Sequence, residues 1–177
     1  MKVKRLIAVA SLVFLSCSTS AECLVSDPSK KGGAYKFYLS GSECKLVRYS
    51  GGNVVTMYVE YPSMKIVNER AVDDSLVIFR LVYISKATFN QDAATENKHP
   101  TRVHDGIEKY GEGEGAFFRF IGGDGNPTFV SNWPNSRSAR HLFSDGIQIR
   151  YQYALKHKDL KAMDGFALDF VKKITRK

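Results

Sequence analysis

One stretch of this sequence carries a sustained helical repeat, and it comes last. Leu160, Met163, Phe166, Ala167, Phe170, Val171 and Ile174 recur at i, i+3, i+4 and i+7, so a helix places them in one apolar stripe. Asp159 stands where an N-cap is needed, and the closing basic residues sit where cations favour the helix dipole. Gly165 inside the repeat costs about 1 kcal/mol relative to alanine. Such a stripe must be buried against another element, and most of the preceding chain reads as strands.

Residues 35–39 are rich in aromatics, residues 44–49 carry Leu46 between charged neighbours, and residues 54–61 form a strongly β-prone run ended by Pro62. Ile66 and Val67 fit a short edge strand. Residues 75–85 are the most apolar run after the N-terminus and read as a central strand. Residues 116–121 and 128–133 flank Gly122-Gly123-Asp124-Gly125-Asn126-Pro127, which predicts a hairpin. Residues 147–153 alternate with period two, as a half-buried strand does. The polar stretch 87–113 reads as a long loop with one short helix over 102–110 that puts Val103, Ile107 and Tyr110 on one side. Residues 134–141 read as a second polar loop holding Arg137 and Arg140. The expected fold class is α+β: one domain, mainly an antiparallel twisted sheet, with the amphipathic C-terminal helix packed on one face.

The N-terminus sets the compartment. Met1-Lys2-Val3-Lys4-Arg5 is basic, residues 6–15 are apolar, and Ser16-Cys17-Ser18-Thr19-Ser20-Ala21 is small and polar, the three-part pattern of a secretory signal peptide. The apolar run is about half of the ~20 residues that span a bilayer. Small residues at Thr19-Ser20-Ala21 favour cleavage after Ala21, making 1–21 the signal peptide and 22–177 a single exported domain. The alternative is lipidation at Cys17, because Phe14-Leu15-Ser16-Cys17 resembles a lipobox; that would tether the same domain to a membrane. Export makes Cys23 and Cys44 a disulfide pair, and closing that loop contributes about 3 kcal/mol in the chain-entropy model.

The composition, 44% hydrophobic and 25% charged, excludes a disordered or collagen-like chain. The formal charge of +8 falls to +5 without the first 21 residues, and residues 150–177, with eight basic and three acidic side chains, hold all of that excess. A nucleic-acid binder needs a basic stripe interleaved with aromatics on its sheet, so nucleic acid is not an expected partner. The basic end reads as a solvated helix face, with attraction to anionic lipid as the other reading.

No sequence pattern specifies catalysis. The histidines 99, 104, 141 and 157 have no metal-ligand spacing, so no metal and no cofactor is expected. His104-Asp105 reads as surface, and Asp73-Asp74 as solvated acids in a turn. No Gly-x-Ser-x-Gly elbow occurs. Gly122-Gly123-Asp124-Gly125 lacks the lysine and following helix of a phosphate loop, and Asp124 and Asn126 lack the ligand series of a calcium loop. Candidates for partner contact are Glu112 and Glu114 in an acidic loop, Asp124 and Asn126 in the hairpin turn, and Trp133 with Arg137 and Arg140, residue types enriched in interface hot spots. For Trp133, partial burial in the core is the slightly favoured expectation.

The run Phe118-x-Phe120-Ile121-Gly122-Gly123-Asp124-Gly125-x-Pro127, then Asn132-Trp133, then Ile147-x-Ile149-x-Tyr151-x-Tyr153, with Leu160, Met163-Asp164 and Phe170-Val171 in the helix, resembles bacterial type VI secretion immunity proteins, in particular those acting against lipase and phospholipase effectors. The resemblance lies in the C-terminal third. It implies a small periplasmic, sometimes lipidated protein that is not an enzyme and that occludes the active site of a cognate toxin; it assigns no toxin-contact residue. The alternative is an envelope-associated accessory or ligand-binding module, with a membrane as partner only through lipid at Cys17 or the basic tail.

Overall fold

The computed structural model describes residues 21–25, 35–51, 53–84, 91–143 and 146–175, the side chains of Gln91 and Glu114 excepted. Residues 1–20 of the expected signal peptide, Cys17 among them, lie outside them; its last residue, Ala21, is described.

The chain begins with β1 (Ala21–Val25) and β2 (Tyr35–Leu39), a two-stranded antiparallel ribbon. A short helical turn α1 (Gly41–Cys44) follows, then β3 (Arg48–Tyr49), β4 (Val54–Glu60), β5 (Lys65–Val67) and β6 (Leu76–Tyr83). Next come β7 (Arg102–His104), β8 (Ile107–Tyr110), β9 (Phe117–Ile121), β10 (Pro127–Trp133), β11 (Ser136–Phe143) and β12 (Ile147–Ala154), and α2 (Leu160–Thr175) closes the chain. Strands β3 to β12 form one antiparallel sheet in the order β3-β4-β6-β12-β11-β10-β9-β8-β7, with β5 paired to β4. The fold is therefore a single α+β domain, mostly antiparallel sheet, with a C-terminal helix against it.

The alternation of each strand explains which face the helix covers. Val55, Met57 and Val59 of β4, Val77, Phe79 and Leu81 of β6, and Ile149, Tyr151 and Tyr153 of β12 point to one side and are buried. On that side α2 lays down Met163, Phe166, Ala167, Phe170, Val171 and Ile174, with the Phe79 and Phe170 rings 4.7 Å apart. Each fully buried side chain of this size contributes roughly 1.5–3 kcal/mol. Asp159 caps the helix, its carboxylate accepting from the Ala162 N–H at 2.9 Å. Cys23, Phe37 and Leu39 of the ribbon join the same core, and Cys23 is disulfide-bonded to Cys44, 21 residues along the chain. A disulfide accords with folding outside the cytoplasm. No helix among the described residues is long and apolar enough to cross a membrane.

Three local expectations are corrected. Residues 102–110 are not a helix but the hairpin β7–β8, turned by Asp105 and Gly106 at φ 50° and 70°. Asp-Gly is the two-residue turn that suits twisted strands, and it outweighs an apolar spacing of only three residues. Residues 134–141 are not a loop: Pro134 and Asn135 make the turn, and Ser136 already pairs with Trp133. At 40–44, Ser40 and Glu43 form a capping box that starts α1, so the strand expected from Cys44 shrinks to Arg48–Tyr49.

Candidate partner-binding face

The helix-covered side of the sheet holds a closed polar network. His141 of β11, Thr128 of β10, Tyr151 of β12 and Asp164 of α2 are all at most 1% exposed. The Asp164 Oδ1 atom accepts from Tyr151 Oη at 2.9 Å and Thr128 Oγ1 at 3.1 Å, and lies 3.1 Å from His141 Nδ1. The other ring nitrogen, Nε2, is 2.9 Å from Asp124 Oδ2 in the β9–β10 turn. The Thr128 hydroxyl is 2.6 Å from Nδ1. Both ring nitrogens thus have acceptors, the arrangement an imidazolium needs. Burial disfavours that cation, but the carboxylates of Asp164 and Asp124 outweigh it and raise the His141 pKa above 6.5. Burial opposes ionisation of Asp124 too, yet the Asn126 N–H and His141 hold its pKa below the ordinary value.

The backbone makes room for this network at Gly122. A Cβ there would stand 2.6 Å from Asp164 Oδ2 and 2.7 Å from His141 Cε1. The residue types are those of a proton relay. The ring and hydroxyl are nevertheless sealed beneath α2, so the network joins three strands to the helix rather than meeting a substrate. The sequence carries no local signal for it, because His141 falls in a polar stretch that becomes a strand only through pairing on both edges.

The opposite side of the same strands is different. Register places Arg80 of β6 opposite Arg150 of β12, Arg150 opposite Arg140 of β11, Arg140 opposite Phe129 of β10, and Phe129 opposite Arg119 of β9. Arg119 is held by Asp92 and Glu108, each at 3.1 Å. Arg80, Arg140 and Arg150 are exposed and have no carboxylate within ion-pair distance among the described residues. The Arg140 guanidinium lies over the Phe129 ring, 4.9 Å from its centroid, and Arg150 donates from Nε to Gln148 at 2.5 Å. Desolvation, then the neighbouring Arg150 cation, lower the Arg140 pKa. Beside them is a groove of about 400 Å³ walled by Phe117, Phe129, Trp133, Arg140 and Arg150.

The other sequence candidates scatter. Trp133 is 59% exposed, not part of the core, because it ends β10 on the side away from α2. Arg137 is three positions from Arg140 and so faces the other side of the sheet, where it donates to Asn132 and to the His157 carbonyl. Glu112 pairs with Lys109, which lowers its pKa; Glu114 is described by its backbone alone. Asp124 turns inward to His141, and Asn126 donates to it. His104 and Asp105 do meet, at 3.2 Å, on an exposed turn. The structure therefore gathers only Trp133 and Arg140 of the candidates, and adds Phe129, Arg150 and Arg80. Comparison with known proteins finds no matching family model, no similar curated protein and no similar solved structure.

Proposed function

We propose that this is a periplasmic immunity-type protein that neutralises a secreted hydrolase, of lipase or phospholipase type, by docking over its active site. The observation that carries the reading is the Trp133 face. An indole 59% exposed stands beside a groove with two arginines and two further aromatic rings. Tryptophan and arginine dominate interface hot spots, and here the indole is grouped with two further rings and two arginines along one groove, the kind of patch a partner covers. The disulfide and the leader-like N-terminus support export. Occlusion needs complementarity over roughly 1,200–2,000 Å² and no chemistry from the inhibitor.

The test is protection. Full-length protein expressed with a periplasmically targeted hydrolase encoded beside its gene is expected to restore growth and to form a stoichiometric complex. Trp133→Ala is expected to weaken that complex by about 2 kcal/mol, roughly 30-fold, without lowering the melting temperature. Failure of the wild-type protein to protect against, or bind, any such neighbour overturns the reading.

A further inference from the structure

Three arginines directly opposite one another on adjacent strands are an unusual thing for a sheet to keep. Neighbouring strands lie about 4.8 Å apart, so Arg80, Arg150 and Arg140 form a cationic row about 10 Å long. Like charges placed opposite each other across strands destabilise the free protein. Elsewhere this chain pairs comparable cations: Arg119 with Asp92 and Glu108, Arg48 with Glu69, Lys156 with Asp74. Arg140 has moreover lost part of its hydration to the Phe129 ring, which strengthens its interaction with an incoming anion.

We infer that the Arg80–Arg150–Arg140 row, with Trp133 at its flank, is the recognition site for an acidic segment of the partner protein, whose carboxylates bridge adjacent guanidiniums while an apolar side chain lies against Trp133 and Phe117. The inference rests on the partner-binding reading above and gives that partner its chemistry. Arginine on a strand presents a planar fork that binds carboxylate bidentately. The surroundings favour a polypeptide over a lipid surface. Arg150 and Arg140 of the row wall a groove that Ala94 also lines, and past Phe129 the row runs into Asp92 and Glu108, acids that a flat anionic bilayer would have to approach. A chain segment can present carboxylates to one end of the groove and apolar groups to the other.

The probe is a fluorescent (Glu-Leu)₅ peptide, with (Gln-Leu)₅ as neutral control, read by anisotropy against the full mature chain with its disulfide intact. The glutamate peptide is expected to bind, to weaken with added salt, and to lose at least about 10-fold in affinity in Arg140→Gln/Arg150→Gln. Lys172→Gln/Lys173→Gln, which removes the same charge from the last turn of α2, is expected to change it less than about 2-fold. Arg140→Gln/Arg150→Gln is also expected to melt no lower than wild type, because it relieves the row, and that separates the loss of affinity from unfolding. Equal loss in both double variants would mean bulk attraction and overturn the inference. So would binding of phosphatidylglycerol vesicles or inorganic phosphate through Arg140 and Arg150 with no binding of the peptide. Protection against the toxin that persists unchanged in Arg80→Gln/Arg140→Gln/Arg150→Gln overturns the row while leaving the partner-binding reading intact; a wild-type protein that does not protect overturns the reading itself.

Discussion

Replacing Asp164 by asparagine keeps the shape of the side chain and removes one charge from a closed site. Three groups converge on its Oδ1 atom: Tyr151 Oη at 2.9 Å, Thr128 Oγ1 at 3.1 Å and His141 Nδ1 at 3.1 Å. Breaking one side of a buried charged pair costs 3–5 kcal/mol, because the remaining charge stays buried. Here Asp124 still faces His141, so the loss belongs at the low end, about 3 kcal/mol. For a domain of this size that lowers the melting temperature by roughly 6–12 °C. The assay is thermal unfolding by circular dichroism at pH 6 with the disulfide intact. The loss should also depend on pH with a definite sign. The His141 pKa is raised in the folded protein, so its contribution is fully present below 6.5 and is lost as pH rises through the folded value. Wild type must therefore lose stability relative to Asp164→Asn as the pH is raised past 6.5, and the gap between them must narrow. A melting temperature within about 2 °C of wild type at pH 6, or a gap that widens with pH, would falsify the assignment of His141 as a buried cation held by Asp164.

Gly165→Ala should stabilise by about 0.5–1 kcal/mol in urea denaturation, because nothing lies within 4 Å of the added methyl and the helix loses its most flexible residue; destabilisation would mean the helix packs more closely there than the geometry allows. Gly122→Ala should destabilise by about 1–3 kcal/mol in the same assay, since its Cβ collides with Asp164 Oδ2 and the His141 ring; a neutral result would refute the tight approach of that backbone. Cys23→Ser/Cys44→Ser should cost about 3 kcal/mol and loosen the β1–β2 ribbon first, which hydrogen exchange at Cys23 to Val25 would detect; uniform loss across the sheet would contradict it.

The elements legible in the sequence were those whose sides differ most in polarity. The stripe from Leu160 to Ile174 has one apolar side, and Ile147 to Tyr153 alternates with Ile149, Tyr151 and Tyr153 inward; both stand where expected. β11 failed for the converse reason. From Arg137 to His141 its inward positions are Arg137, Ala139 and His141 and its outward ones are Ser138 and Arg140, so over that stretch neither side is greasy and the pattern reads as loop; Leu142 and Phe143 come only at its end. Its strand identity comes from pairing on both edges, with β10 and β12, which no local window contains. The capping box at Ser40 and the Asp105-Gly106 turn were different: both signals stood in the sequence and were outweighed by neighbouring residues. The arginine row is invisible for a geometric reason, since residues 80, 140 and 150 become neighbours only through strand order.

The two sides of β11 and β12 are linked by adjacency. His141 and Arg140 are consecutive, as are Tyr151 and Arg150, so these two network residues sit back to back with two arginines of the row. The network anchors these two strands to α2 through Asp164, and to the β9–β10 turn through Asp124. An anchored strand holds its arginine backbone in place, and a preorganised binding group loses less entropy when its partner arrives. A polar network therefore does something at this position that a leucine core of equal stability would not: directional bonds fix the register of the three strands β10, β11 and β12, whereas apolar packing tolerates small shifts. On this argument Asp164→Asn, whose hydrogen-bond partners Thr128, His141 and Tyr151 do not line the groove, should also weaken binding of the acidic peptide at a temperature where the variant is still folded. If it melts early yet binds that peptide as tightly as wild type, the network serves stability alone and the row keeps its geometry without it.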